Sequence, residues 1–126
     1  MIYTSYFAML KKLPEGIKHV SITRWTPKWY HGGVSLKLAP PAKVLAEYKK
    51  TGDFNTFSRR YYEEVLEHRN VDELLSYLRN KLGVDPFKED IVLLCYERSN
   101  SPCHRHLVRD WLNKNGVPCE EYKFDK

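Results

Sequence analysis

The chain reads as a small α/β domain: an open, mainly parallel sheet of about four strands with flanking helices, Rossmann-like and three-layered. Two observations carry that reading. Ile91-Val92-Leu93-Leu94-Cys95-Tyr96 is apolar without a break, the mark of a central strand covered on both faces, as in parallel sheets. Strand-like and helix-like segments follow one another in the order β–(α)–β–ααα–β–α–β, an order that calls for parallel strands joined by crossovers. The length of 126 residues suits one domain spanning 1–126.

Residues 1–4 form the first expected strand, with a helical turn or loop over 5–9 and a turn at Leu13-Pro14-Glu15-Gly16. Residues 17–22 alternate apolar and polar, the period of a strand, and Pro27 blocks its regular continuation. The stretch 25–41 reads as a long irregular connection with a flexible turn at Gly32-Gly33, and it holds Trp25, Trp29, Tyr30 and His31. Three helices follow. The first runs from Pro41 to Gly52 with Ala42, Leu45 and Tyr48 on one face. The second is capped by Asp53 and carries Phe54, Phe57, Tyr61, Val65 and Leu66, while Asp72 opens a third with Leu74, Leu75, Leu78 and Leu82 ending at Gly83. These stripes are read as core. After the central strand, a helix from Ser101 or Pro102 to Gly116 packs Leu107, Val108, Trp111 and Leu112 inward, and 117–124 alternates as an edge strand.

Composition narrows the function classes. Apolar residues make up 42% and charged residues 29%, which excludes a disordered or fibrous chain. No apolar run approaches the ~20 residues needed to span a bilayer, and the first residues lack the basic and apolar regions of a signal peptide. A cytoplasmic protein is therefore expected. The 21 Lys and Arg against 16 Asp and Glu leave a net charge of +5, which favours anionic partners such as nucleotides, phosphorylated metabolites or nucleic acid.

Ligands of open parallel sheets collect beyond the carboxyl ends of the strands. That rule selects Thr4, Ser5, Arg24, Trp25 and the stretch Tyr96-Glu97-Arg98-Ser99-Asn100, together with the start of the next helix at Cys103-His104-Arg105. A helix N-terminus attracts anions, and Arg24, Arg98 and Arg105 would add to it. The competing reading is a solvated loop with its arginines paired to Glu97 or Asp110. Tyr61, beside Arg59 and Arg60, is either a core tyrosine with a satisfied hydroxyl or a ligand contact.

Three cysteines, Cys95, Cys103 and Cys119, are too few for a disulfide scaffold, and a reduced setting explains them. Cys103 and Arg109 have the Cys-x5-Arg spacing of a phosphatase loop, but residues 104–108 lack the glycines such a loop needs and read as a helix start. Cys95, without a following glycine, reads as a buried structural thiol. Cys103, His104, His106 and Cys119 lack the paired spacing of a zinc site, so no metal and no cofactor are expected. Cys103 is the best candidate for a reactive thiol, since a helix start with neighbouring His and Arg lowers a thiol's pKa.

Leu93-Leu94-Cys95-Tyr96-Glu97 followed by Cys103-His104-Arg105-His106 and Trp111-Leu112 resembles the domain of unknown function 488 family. So do Tyr3-Thr4-Ser5, Ser21-Ile22-Thr23-Arg24, Leu36-x-Leu38-Ala39-Pro40 and Phe57-x-x-Arg60-Tyr61. The resemblance implies an α/β fold with a rim site and carries Arg24, Glu97, Cys103, His104, Arg105 and Tyr61 over as site positions. The segment between the first two strands is shorter than in many members, so part of the pocket wall is expected to differ.

Three functions stand open on this basis. The first is a small-anion or nucleotide site in which Arg24 and Arg105 hold charge, Glu97 or His104 handles a proton and Cys103 is a nucleophile or shapes the pocket. The second is a basic nucleic-acid module using the Trp25–Tyr30 loop, and the third a protein-interaction domain.

Overall fold

The computed structural model describes residues 1–96 and 103–124. Five strands form one sheet: β1 (Ile2–Tyr6), β2 (Lys18–Ser21), β3 (Gly33–Val34), β4 (Ile91–Cys95) and β5 (Cys119–Glu121). Their order is β3-β2-β4-β1-β5 and every neighbouring pair is parallel. The helices are α1 (Ala42–Thr51), α2 (Phe54–Glu64), α3 (Val71–Lys81) and α4 (His104–Lys114). None is long and apolar enough to cross a membrane.

The α/β class holds, with one strand more than expected. The additional strand, β3, lies inside the stretch read as irregular. Gly33 is strand rather than turn, pairing with Val20, while the Tyr77 hydroxyl bonds both the N–H and the carbonyl of Val34. A Cβ on Gly33 would lie 3.1 Å from the Leu82 methyls and the Tyr77 hydroxyl, so the edge strand packs this close only because the residue is glycine. The last strand is shorter than its alternation suggested. Asn113 explains where it starts: its side-chain amide donates to the Cys119 carbonyl at 2.8 Å and accepts from the Cys119 N–H at 2.9 Å.

β4 is fully buried on both faces, as its unbroken apolarity predicted. Ile91, Leu93 and Cys95 face the helices, joining Val20, Ile22, Val44, Phe57, Leu78, Val108 and Leu112 in the main core. Val92 and Leu94 face the other way, into a smaller cluster with Phe7, Leu13 and Tyr30. That thinner outer layer consists of a 3-10 turn over Phe7–Lys12 and the loop carrying Tyr30.

The connections matter for the site. After β2 the chain runs outward to β3 at one edge, whereas after β4 it crosses β1 through α4 to reach β5 at the other edge. The two exits diverge, so a crevice opens between the carboxyl ends of β2 and β4. This is where open parallel sheets place their ligands.

A tight corner builds one wall of that crevice. α1 ends at Gly52, whose left-handed φ of 70° lets its N–H close on the Tyr48 carbonyl at 2.7 Å. Asp53 then caps α2, accepting from the Thr56 N–H at 3.1 Å. With no residue between cap and cap, Tyr48, Phe54 and Phe57 meet with ring centroids 5.1–5.7 Å apart. Gly52→Ala meets no atom within 4 Å and suffers only from its backbone conformation. It is expected to cost about 1–2 kcal/mol in urea unfolding, the left-handed penalty of an L-residue.

Candidate functional site

A cavity of about 470 Å³ lies in the crevice. Thr23, Arg24 and Trp25 line it from the end of β2, Tyr96, Cys103 and His104 from β4 and the start of α4, and Tyr48, Phe54 and Phe57 from the α1–α2 corner. Most of the lining is aromatic or apolar. Arg24 and Lys49 supply positive charge, and the Arg24 Nε–H donates to the Pro40 carbonyl at 3.0 Å, which fixes the side chain against the cavity wall.

Of the residues singled out in the sequence, Arg24, Trp25, Cys103 and His104 meet at this cavity. Glu97 and Arg98 lie outside the described residues. The others are placed elsewhere, for identifiable reasons. Arg105 is fully buried and turned away from the rim. Its Nε and Nη2 donate to the Glu121 carboxylate at 2.8–3.1 Å, Nη1 donates to Cys95 Sγ at 3.0 Å, and the Tyr6 ring lies 5.4 Å from its guanidinium carbon. Arg105, expected from the sequence to hold an anionic ligand, pairs here with Glu121 and does not line the cavity. Thr4 belongs to the same internal group, its hydroxyl donating to Glu121 at 2.6 Å. Ser5 is buried in β1, and among the described residues its hydroxyl has no partner.

Tyr61 likewise lies in the core and not in the lining of this cavity. It is buried, stacks on Phe57 with centroids 6.0 Å apart and donates its hydroxyl to the Leu38 carbonyl at 2.6 Å. Burial raises the pKa of that hydroxyl, which therefore stays protonated. Tyr61→Phe leaves the Leu38 carbonyl without this donor and is expected to cost about 1–3 kcal/mol of stability, measured by urea unfolding.

His104 is oriented by two contacts. Its Nε2–H donates to the Ile22 carbonyl at 2.6 Å, which leaves Nδ1 unprotonated and 3.7 Å from Cys103 Sγ. Burial pushes its pKa down to about 4; the Ile22 carbonyl opposes this, and Arg105 and His106 add to it. The ring is neutral at pH 7, and its one N–H is already used.

The cysteines depart most from expectation. Cys95 and Cys103 are joined as a disulfide, so in this form Cys103 is not a free thiol and Cys95 is not a lone buried one. Only Cys119 is free, and burial pushes its thiol up to about 12. α4 begins at His104, as the absence of glycine there required, which removes any phosphatase-type loop.

Sequence reasoning placed Tyr96 at this rim but missed Glu121 and the lining role of Tyr48, Lys49, Phe54 and Phe57. The aromatic helix stripes were read as core, and Tyr48 and Phe54 do pack against the core; their outer edges nonetheless face the cavity.

The fold and site together define an open parallel α/β domain with an aromatic, cation-bearing cavity where the loops after β2 and β4 part. Residues 6–116 match the family model described as the active DUF488-N3 subclade, and the chain belongs to that family. No curated protein and no solved structure matches it.

Proposed function

We propose that the chain binds a small planar anion of the nucleotide class in the rim cavity. The observation that carries this reading is the pairing of an aromatic wall, built by Trp25, Tyr48, Phe54 and Tyr96, with two cations, Arg24 and Lys49, in one cavity. Its volume of about 470 Å³ falls within the usual 300–1,000 Å³ of small-molecule sites. A base stacks on aromatic faces, and a phosphate takes charge-assisted hydrogen bonds from a guanidinium. The basic balance of the chain supports an anionic ligand, and the diverging strand exits support this end of the sheet.

A second reading, single-stranded nucleic acid, has one observation in its favour. Trp25, Trp29 and Tyr96 are 58%, 55% and 50% exposed. Trp29 and Tyr96 flank Phe7, whose ring centroid lies 6.3 Å from Trp29 and 5.0 Å from Tyr96. Such a row would stack successive bases.

Thermal shift with nucleoside monophosphates, sugar phosphates and short oligonucleotides separates the readings. A nucleotide at 100 times Kd should add about 2.7 kcal/mol of stability. Arg24→Ala should weaken that ligand about 10–100-fold, the worth of one charge-assisted hydrogen bond. A shift produced by oligonucleotides alone, falling steeply with salt, would favour the second reading. No shift with any phosphorylated compound would overturn the first.

A further inference from the structure

We propose that Cys95, Cys103 and His104, once the cysteine pair is reduced, form a three-ligand site for one zinc-class cation that opens onto the rim cavity. The two sulfurs and one imidazole nitrogen lie within 4.8 Å of one another, and all three residues are buried. They come from the end of β4 and the first turn of α4, two elements fixed by the core. This brings together residues that the sequence separates by eight positions without a paired motif, which is why spacing alone gave no metal site.

The surroundings have the features that metal ligands need. A ligating histidine ordinarily gives its other ring N–H to a carbonyl or carboxylate, which fixes the tautomer and aims the free nitrogen. His104 has this arrangement, with Nε2–H on the Ile22 carbonyl at 2.6 Å and Nδ1 beside Cys103 Sγ at 3.7 Å. The Arg105 Nη1–H on Cys95 Sγ at 3.0 Å stabilises a thiolate there, and Glu121 balances the charge of Arg105 itself. The Cα atoms of the two cysteines stand 7.4 Å apart, wider than the roughly 4.4–6.8 Å usual for bridged cysteines. Two thiolates on one ion span that distance comfortably.

The donor set selects the class of cation. Two thiolates and a neutral imidazole suit zinc or cobalt(II) rather than magnesium or calcium, and they cancel a divalent charge. Three protein ligands leave one position open, and Cys103 and His104 both line the cavity, so that position faces it. Reduction comes first. A phosphine breaks the S–S bond, leaves as the phosphine oxide with oxygen from water, and yields two thiols. Metal binding then releases both thiol protons.

The test is a cobalt(II) titration of the phosphine-reduced full chain under nitrogen, followed by absorption spectroscopy without nucleotide. The expected result is one equivalent bound, with a thiolate-to-cobalt charge-transfer band and visible bands of tetrahedral intensity that zinc bleaches. Cys119→Ser should leave the spectrum unchanged. Cys103→Ser, checked for native circular dichroism, should weaken cobalt binding at least about 10-fold, the low end of what even outer-shell partners contribute. Failure of reduced wild type to develop the charge-transfer band overturns the proposal, whatever the variants do. So does a band that folded Cys103→Ser leaves undiminished. Neither outcome bears on nucleotide binding.

Discussion

Glu121→Ala is expected to lower folding stability by about 3–5 kcal/mol, the usual penalty for stripping one partner from a buried ion pair. Arg105 is fully buried, and its Nε and Nη2 make three hydrogen bonds to the Glu121 carboxylate. Removing that carboxylate takes three hydrogen bonds from a fully buried guanidinium and the acceptor from the Thr4 hydroxyl as well. Urea unfolding would show the loss as a lower midpoint with an unchanged slope. The double variant Arg105→Met with Glu121→Leu should regain most of it, because two apolar side chains of similar volume replace the pair at little net cost. A Glu121→Ala protein within 1 kcal/mol of wild type would mean that the guanidinium finds solvent, and that the ion pair is not what holds α4 against β5.

The second large effect is a loss of stability in mild acid, carried by His104. Its folded pKa of about 4 lies below the ordinary 6.5, so the unfolded chain binds a proton that the folded one refuses. Stability from this ring is present in full above pH 6.5, falls as pH drops, and levels off below about 4. The gap of 2.5 units at 1.36 kcal/mol per unit corresponds to roughly 3 kcal/mol. Burial is the main cause, the Ile22 carbonyl opposes it, and Arg105 and His106 add to it. Urea midpoints between pH 4 and 7, with a chelator present and the disulfide intact, should show this slope in wild type. His104→Gln should make it shallower, leaving the smaller contribution of His19 and His106, whose pKa values burial also lowers. An equal slope in both proteins would assign the acid sensitivity to other groups.

Much of the fold was legible because its signals are local. β4 stands out as an unbroken apolar run, and the Leu74, Leu75 and Leu78 stripe of α3 lies in the core as its period implies. β3 was not legible, since two residues, one of them glycine, carry no period. The position of the site followed from topology rather than from any motif. Arg24 and Trp25 come just after β2, beyond Ile22 and Thr23, and their place at the cavity follows from β2 being a parallel strand. Arg105 shows the limit of that rule. A basic residue in the first turn of a helix has the same sequence signature whether it faces a ligand or a buried carboxylate, and the decisive partner, Glu121, is contributed by β5. The Cys95–Cys103 pair was hidden in the same way, by proximity that only the packing of α4 against β4 creates.

The most direct test of the rim site is tryptophan fluorescence of wild type and Trp25→Phe, titrated with adenosine 5′-monophosphate. Trp25 lines the cavity, whereas Trp111 is buried in the core on α4. Saturable quenching is expected in wild type, largely lost in Trp25→Phe and shifted to higher concentration in Arg24→Ala. Quenching of equal size in Trp25→Phe, or a midpoint untouched by Arg24→Ala, would place the nucleotide elsewhere and contradict the rim cavity as its site.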